Sequence, residues 1–283
     1  MLHNILVHGA GKLVERFGTK EQNNTYLKNM YTGRWGGSML LTEPEAGSDV
    51  GALTTKAVKN DDGTYSITGS KIFISSGEND LVENIVHPVL ARIEDAPAGT
   101  AGISLFLVPK YRVNPDGSLG EFNDVVCTGI EEKMGIHGSP TCSLSLGSKG
   151  GCIGTLLGKE NKGMSAMFVM MNEARLHVGM QGFACASASY LNALNYARTR
   201  VQGKDLAAGK DSPSVAIINH PEIRRILLTM KSYTEAMRSL LFYTGLLEDR
   251  IKVSSSTEEK ASLQGMIDVL IPVAKGYITD RAF

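Results

Sequence analysis

The hydrophobic pattern changes its period along the chain, and this change limits the fold more than any other feature. Between residues 36 and 150, short segments alternate apolar and polar residues, as in 64–69 (TYSITG), and turn sequences such as Asp61-Asp62-Gly63 separate them. After residue 160, apolar residues recur at spacings of three and four. Short alternating strands without intervening helices favour an antiparallel sandwich or barrel over a doubly wound sheet. We therefore predict an α+β chain in which helices follow a β domain.

Three segments follow from these patterns. Residues 1–35 are predicted to be helical, with a break at Gly18-Thr19-Lys20, and they are too few to hold a core of their own. Residues 36–158 form the predicted β domain, with strands at 103–108 and 141–146 and a tight turn at Gly69-Ser70. Residues 159–283 form the predicted helical bundle.

The helices of the last segment carry distinct signals. Residues 161–200 contain no proline, so they predict one long helix or two helices broken near residues 179–182, where small residues would let another helix approach. Pro221 suits the first turn of the next helix. Ser256 and Glu259 have the spacing of a capping box at the start of a third.

Charge and cysteine content exclude several classes of function. Lys+Arg and Asp+Glu both number 29 in 283 residues, without a basic run, which argues against a nucleic-acid partner. The 4 cysteines show neither a CxxC pair nor metal-ligand spacing with histidine, so we expect no metal and reduced thiols. The sequence shows neither a membrane span nor a signal peptide. We expect a cytoplasmic protein, in the bacterial cytosol or, in a eukaryote, the mitochondrial matrix.

Residues 39–49 (MLLTEPEAGSD) contain the most specific motif of the chain. The pattern TEPxAGSD resembles the flavin-binding signature of acyl-CoA dehydrogenases. Further segments resemble the same family in the same order. They are 18–27 (GTKEQNNTYL), 69–75 (GSKIFIS), 132–141 (EKMGIHGSPT), 158–164 (GKENKGM) and 200–203 (RVQG). The insertion at 113–120 is similar to the larger-subunit branch that includes 3-methylmercaptopropionyl-CoA dehydrogenase.

The resemblance implies a fold, a cofactor and a reaction. The family fold has an amino-terminal helical domain, a middle β domain and a carboxy-terminal helical bundle. The cofactor is FAD, and the reaction converts an acyl-CoA thioester to the trans-2-enoyl-CoA. A base removes the proton next to the thioester, and the flavin accepts the hydride from the next carbon, since no side chain can accept a hydride.

The resemblance also implies site residues. Residues of the motif and of the strand after it would contact the flavin ring and phosphates. They are Met39, Leu41, Thr42, Gly47, Ser48, Phe73 and Ser75. Arg200 and Gln202 would reach the adenosine-diphosphate half of a neighbouring subunit's flavin, although Gly203 stands where the family usually has Phe. Ser48, Asn172 and Arg175 would contact the CoA arm. Glu43 is interpreted as a structural hydrogen-bonding residue rather than an acid catalyst.

The catalytic base of the family is a glutamate, which we expect beyond residue 283. Some relatives instead carry it immediately before an arginine on the long helix, where this chain has Ala174 before Arg175. Glu173 stands one residue earlier, and one step turns a helical side chain by about 100°. Glu173 is therefore a weak candidate for the base, and a charged position near the CoA arm or on the helix exterior is its main interpretation.

The sequence leaves several points open. The pattern lacks most of the amino-terminal domain and the base, so the chain looks truncated at both ends. We expect weak or no turnover from it alone. An acyl-CoA oxidase, or a non-catalytic FAD or acyl-CoA binding module, is the alternative function. The family resemblance implies an electron-transfer flavoprotein as the electron acceptor and a homodimer or homotetramer.

Overall fold

The structure is a computed structural model that describes residues 2–205, 207–209 and 211–283. Internal contacts divide it into two units, Met1–Ala174 and Arg175–Phe283. The division falls inside one long helix, α4 (Gly163–Thr199). The three segments 1–35, 36–158 and 159–283 remain a prediction from the pattern.

The structure confirms the predicted break between two helical segments, although the second segment ends at Tyr31 and Trp35 already lies in a strand. α1 spans Leu2–Phe17, and α2 (Lys20–Gln22), a π-helical turn (Asn23–Leu27) and α3 (Lys28–Tyr31) follow the break. Thr19 caps α2 reciprocally, since Gln22 N donates to its hydroxyl at 3.1 Å and Thr19 N donates to Gln22 Oε1 at 2.9 Å. These bonds satisfy amide groups that a helix start leaves without partners.

Ten strands of the first unit form the β domain. They are β1 (Trp35–Gly37), β2 (Lys56–Lys59), β3 (Tyr65–Ser75), β4 (Asn84–Ile93), β5 (Ile103–Pro109), β6 (Tyr111–Val113), β7 (Leu119–Phe122), β8 (Val125–Ile130), β9 (Thr141–Leu146) and β10 (Ile153–Leu156). Eight of them share a sheet in the order β1-β4-β5-β10-β3-β9-β8, and β2 pairs with both β3 and β4. The ring β2-β4-β5-β10-β3 is thereby closed, which decides for the barrel among the two predicted alternatives, a sandwich or a barrel. β1 and β2 run parallel to β4, a detail that the sequence did not indicate.

The predicted turn at Gly69-Ser70 is wrong, because β3 continues through it from Tyr65 to Ser75. Gly69 has a different purpose. A Cβ atom there would lie 2.4 Å from Thr55 Oγ1 and 2.8 Å from Thr55 Cα. The glycine therefore allows the segment before β2 to pass close to β3.

The central strands are buried on both faces. Val86 and Leu90 of β4 pack in one cluster with α1 and the first turns of α4, whereas Val89 and Ala91 pack in a second cluster with β3 and β9. This explains why β5 is buried at every position from Ile103 to Pro109, without the alternation of a sheet exposed on one face.

The second unit contains the rest of α4, the β11–β12 pair (Val201–Lys204, Ser214–Ala216), α5 (Pro221–Val253) and α6 (Thr257–Ala282). α4 is continuous, so the alternative of two helices is wrong. A Cβ at Gly182 would lie 3.3 Å from Ile278 of α6, which confirms close approach at the small residues. Ser256 accepts from Glu259 N at 3.2 Å, but the Glu259 carboxylate binds Ser254 and Arg250, so the box is only half formed.

Three findings bear on function classes. Among the described residues, none of the helices is both long and apolar enough to cross a membrane. In the same part of the chain, no group of three or more His, Cys, Asp or Glu side chains is arranged to hold a metal. Cys127, Cys142, Cys152 and Cys185 are free thiols.

Gly69→Ala tests the close approach of β3 and Thr55. We expect it to lower the free energy of unfolding by about 1–3 kcal/mol, because the new methyl group meets backbone atoms that cannot move aside cheaply. Gly129→Ala is the control, since a Cβ at Gly129 in β8 would meet nothing within 4 Å. Urea unfolding of both variants provides the measurement, and equal stabilities would refute this explanation of Gly69.

Candidate functional site

The segment carrying the MLLT part of the motif lies between β4 and β3. Leu40 N donates to Pro88 O, and Leu90 N donates to Leu40 O, both at 3.0 Å. On the other side, Ile72 N of β3 donates to Thr42 O at 2.9 Å. Leu40 is fully buried, while Met39, Leu41 and Thr42 are half-buried. Backbone bonds on both sides therefore fix this segment at the surface of the sheet.

The side chain of a buried lysine also holds this segment in place. Lys71 of β3 is fully buried, and its Nζ donates to Leu41 O at 3.0 Å, Leu90 O at 2.8 Å and Glu43 Oε1 at 2.8 Å. These bonds use all three ammonium protons. Lys71 thus joins β3, β4 and the motif at one point.

The Glu43 carboxylate is also saturated with hydrogen bonds. Oε2 accepts from Thr54 N at 2.6 Å and Thr54 Oγ1 at 2.8 Å. Oε1 accepts from Thr55 N at 3.1 Å and Thr55 Oγ1 at 2.5 Å, in addition to Lys71. Glu43 is 2% exposed. This geometry supports a structural role, because every strong acceptor site of the carboxylate is taken.

The pKa values follow from this network. Burial alone would raise the pKa of Glu43, but the charge of Lys71 and the hydrogen bonds from Lys71, Thr55 and Thr54 outweigh it and lower the pKa to about 2. Burial lowers the pKa of Lys71, and the adjacent Glu43 carboxylate opposes that change. The hydrogen bonds themselves support an ion pair, because the three acceptors around Lys71 Nζ match the three protons of an ammonium group.

Phe73 lies beside the segment in an unusual conformation. Between Lys71 and Ile74, β3 has one more residue than its partner β9, so the strand bulges there. Phe73 has φ +59° and is 60% exposed. A left-handed conformation costs a non-glycine residue about 1–2 kcal/mol. The bulge therefore presents an aromatic ring to solvent next to Ile72, whose N–H holds Thr42. Ser75 follows, half-buried and paired with Thr141.

Gly47 and Ser48 follow a tight loop. Glu43 N donates to Ala46 O and Ala46 N donates to Glu43 O, at 3.2 and 3.1 Å. Gly47 and Ser48 are both exposed. A Cβ at Gly47 would meet nothing within 4 Å, and its φ is not left-handed. Among the described residues, no neighbouring atom requires a glycine at this position, and the flavin contact that the family resemblance implies for Gly47 stays a prediction.

The candidates on the first part of α4 have partners. Glu173 Oε1 lies 2.6 Å from His8 Nδ1 and 3.1 Å from Lys12 Nζ, both on α1, and its side chain is 12% exposed. The interpretation of Glu173 as an exterior charge is therefore wrong, because this ion pair turns it towards α1. Asn172 is half-buried and has a polar or ring partner.

In the second unit, Arg200 and Gln202 lie together and are exposed. Arg200 Nη2 donates to Gln202 Oε1 at 3.3 Å, and His220 Nε2 donates to Gln202 O at 2.8 Å. Gly203 has φ +74°, and a Cβ there would lie 3.3 Å from His220 Nε2. These constraints account for glycine at the position where the family usually has Phe. Arg175 also belongs to this unit, half-buried and with a partner.

Sequence reasoning missed the residues that hold the motif. Lys71 was noted only as part of the motif at 69–75, and Thr54 and Thr55 had no predicted role. A signal was present, since Lys71 occupies an inward position in a strand and a lysine is almost never fully buried without a partner. The partner itself, Glu43, is distant in sequence and cannot be found from periodicity.

Comparisons with known proteins agree with the motifs. The family model "Acyl-CoA dehydrogenase, middle domain" matches residues 38–148. The chain is 44% identical over 284 residues to a butyryl-CoA dehydrogenase of Syntrophomonas wolfei, covering 98% of this chain and 46% of that protein. It is also 44% identical to the 3-methylmercaptopropionyl-CoA dehydrogenase of Ruegeria pomeroyi, again over 98% of this chain and 46% of that protein.

Solved structures resemble it over the same extent. The crystal structure of an acyl-CoA dehydrogenase complexed with FAD from Bacillus anthracis has a TM-score of 0.71 and 27% identity, covering 98% of this chain and 46% of that chain. The chain thus spans about half the length of the curated relatives that it matches.

Glu43→Gln tests the buried pair. We expect it to lower the free energy of unfolding by about 3–5 kcal/mol at pH 7, since it leaves the Lys71 charge buried without a counterion. Because the pKa of Glu43 is lowered from 4.5 to about 2, its contribution is complete above pH 4.5 and declines as the pH falls towards 2. The difference between wild type and variant should therefore shrink below pH 4.5 in urea unfolding.

Glu121→Gln is the matched control, because Glu121 pairs with Arg112 but its side chain is 70% exposed. We expect a change within about 0.5 kcal/mol. A similar small change in Glu43→Gln would show that the buried pair contributes little.

Proposed function

The chain belongs to the acyl-CoA dehydrogenase family, and we propose that the protein is a FAD-dependent acyl-CoA dehydrogenase. The reaction is the α,β-dehydrogenation of an acyl-CoA thioester to the trans-2-enoyl-CoA. One observation carries the proposal. Leu41, Thr42 and Phe73, which the family resemblance assigns to the flavin, lie together at one fixed point of the sheet, although about 30 residues of sequence separate them.

The residues at this point fit a flavin. Among the described residues, none accepts a hydrogen bond from the backbone N–H of Leu41 or Thr42, so both donors are available to a planar heterocycle. Phe73 offers an exposed aromatic face beside them. Gly47 leaves room for close approach to the backbone. When bound, FAD would accept the hydride that leaves the carbon β to the thioester.

The substrate class is an acyl-CoA. Two relatives at 44% identity are named for butyryl-CoA and 3-methylmercaptopropionyl-CoA, which are thioesters of the same carrier. We assign Ser48, Asn172 and Arg175 to the CoA arm, since a guanidinium suits phosphate groups. Glu173 is tied to His8 and Lys12, which favours an anchoring role over that of the base.

Arg200 and Gln202 are proposed to bind the adenosine-diphosphate half of a flavin in a neighbouring subunit. Their mutual hydrogen bond holds the guanidinium at the exposed start of β11, where it can make charge-assisted bonds to a pyrophosphate. This assignment requires a dimer or tetramer. An electron-transfer flavoprotein is the proposed acceptor.

Anaerobic reconstitution tests the function. The purified chain is mixed with FAD and desalted, and butyryl-CoA is added while the visible flavin absorption is followed. Retained flavin that is bleached by the thioester supports the proposal. Retained flavin without bleaching leaves these residues without a base, as expected above, or supports a non-catalytic binding module, and rapid reoxidation of the bleached flavin by oxygen supports an oxidase. Failure to retain FAD contradicts the proposal.

Phe73→Ala tests the aromatic contact. We expect the Kd for FAD to rise about five-fold, because one aromatic contact is worth roughly 1 kcal/mol. Stability should change little, since the ring is exposed. Phe122→Ala is the control, as Phe122 in β7 is also an exposed phenylalanine. Fluorescence titration of FAD measures both, and equal Kd values in the two variants would remove Phe73 from the site.

A further inference from the structure

One peptide of the motif is oriented by a side chain rather than by the sheet. The carbonyl of Leu41 and the N–H of Thr42 belong to the same planar trans peptide, so they point in opposite directions. Lys71 Nζ binds this carbonyl at 3.0 Å. Because this hydrogen bond points Leu41 O towards Lys71, the Thr42 N–H points away from Lys71.

The neighbouring peptides are held differently. Leu40 O accepts from Leu90 N and Thr42 O accepts from Ile72 N, both ordinary backbone bonds. Within the part of the chain that the structure describes, Lys71 is the only donor to Leu41 O. Loss of Lys71 would thus release this one peptide while both neighbours stayed fixed.

Stability alone is a poor reason for a lysine at this position. An ammonium group buried at 0% exposure carries a desolvation penalty of several kcal/mol, and well-packed apolar replacements of buried ion pairs are often neutral or stabilising. The arrangement offsets the penalty with Glu43, which itself needs Thr54 and Thr55. The charge does one thing that an apolar side chain cannot: it binds and polarises the Leu41–Thr42 peptide, which strengthens the Thr42 N–H as a donor.

We propose that Lys71 is a positioning residue for the flavin, which aims and polarises the Thr42 N–H through the Leu41 carbonyl. This inference rests on the proposed function, since it requires that the Thr42 N–H donates to the flavin. Reduction places negative charge on the flavin, so a polarised donor stabilises the reduced form more than the oxidised form. Lys71 therefore raises both the affinity for FAD and its midpoint potential.

The test removes the Lys71 charge in two ways and measures the stability of each variant separately. Glu43→Gln/Lys71→Met eliminates both ions, while the glutamine oxygen still accepts from one of the two threonines. Lys71→Gln is the second variant, in which Glu43 keeps its four bonds to Thr54 and Thr55. Val108→Ala, a fully buried β5 position, is the control for lost stability. Each protein is measured by urea unfolding, FAD fluorescence titration, visible spectrum and flavin midpoint potential.

We expect the double variant to bind FAD about ten-fold more weakly, as for the loss of one oriented hydrogen bond. Its midpoint potential should be more negative and its flavin spectrum shifted. Lys71→Gln should lie between it and wild type, and Val108→Ala should keep the wild-type potential and spectrum. A folded variant lacking Lys71 with unchanged Kd, potential and spectrum overturns the inference and leaves the proposed function intact. A wild-type chain that does not bind FAD overturns both.

Discussion

The buried ion pair between Lys71 and Glu43 is the interaction on which the arrangement of the β domain depends. It joins four parts of the chain at one point: β3 through Lys71, β4 through Leu90 O, the motif through Leu41 O and Glu43, and the segment before β2 through the two threonines. Charges this deep are retained only when every proton and lone pair has a partner. The pair therefore demands that all four parts be in place together.

The closure of the barrel is connected to the same network. β2 reaches both β3 and β4 only because the chain before it passes close to β3, and Gly69 provides the room for Thr55. Thr55 in turn donates to Glu43. Four residues thus link the strand pairing to the Leu41–Thr42 peptide. They are Gly69, which has no side chain, Thr55 with its hydroxyl, Glu43 with its carboxylate and Lys71 with its ammonium group. The shape of the sheet and the placement of the motif have a common cause.

Patterns local in sequence predicted the fold well. The break after α1, strand β9 at 141–146, the proline at the start of α5 and the serine cap of α6 were all visible, because turns, caps and alternation depend on neighbouring residues. Gly69 was misjudged as a turn, since a glycine that admits a distant residue has the same letter as one that reverses the chain. The motif resemblance identified Leu41, Thr42 and Phe73 as candidate flavin contacts. It did not identify Lys71 as a site residue, because the hydrogen-bond partners of Lys71 are 19 to 30 residues away in sequence.

The bulge at Phe73 has a consequence for how this strand can vary among related chains. Three steps on β3, from Lys71 to Ile74, match two steps on β9, from Leu144 to Cys142, so β3 carries one surplus residue. A one-residue deletion there would restore a regular ladder and would also remove a left-handed conformation. The loss of one residue at this point would thus destabilise the sheet little. With both Ile72 and Phe73 present, a regular strand would place Lys71 and Ile74 on opposite faces, so the bulge is what lets both stay buried while the Phe73 ring is exposed.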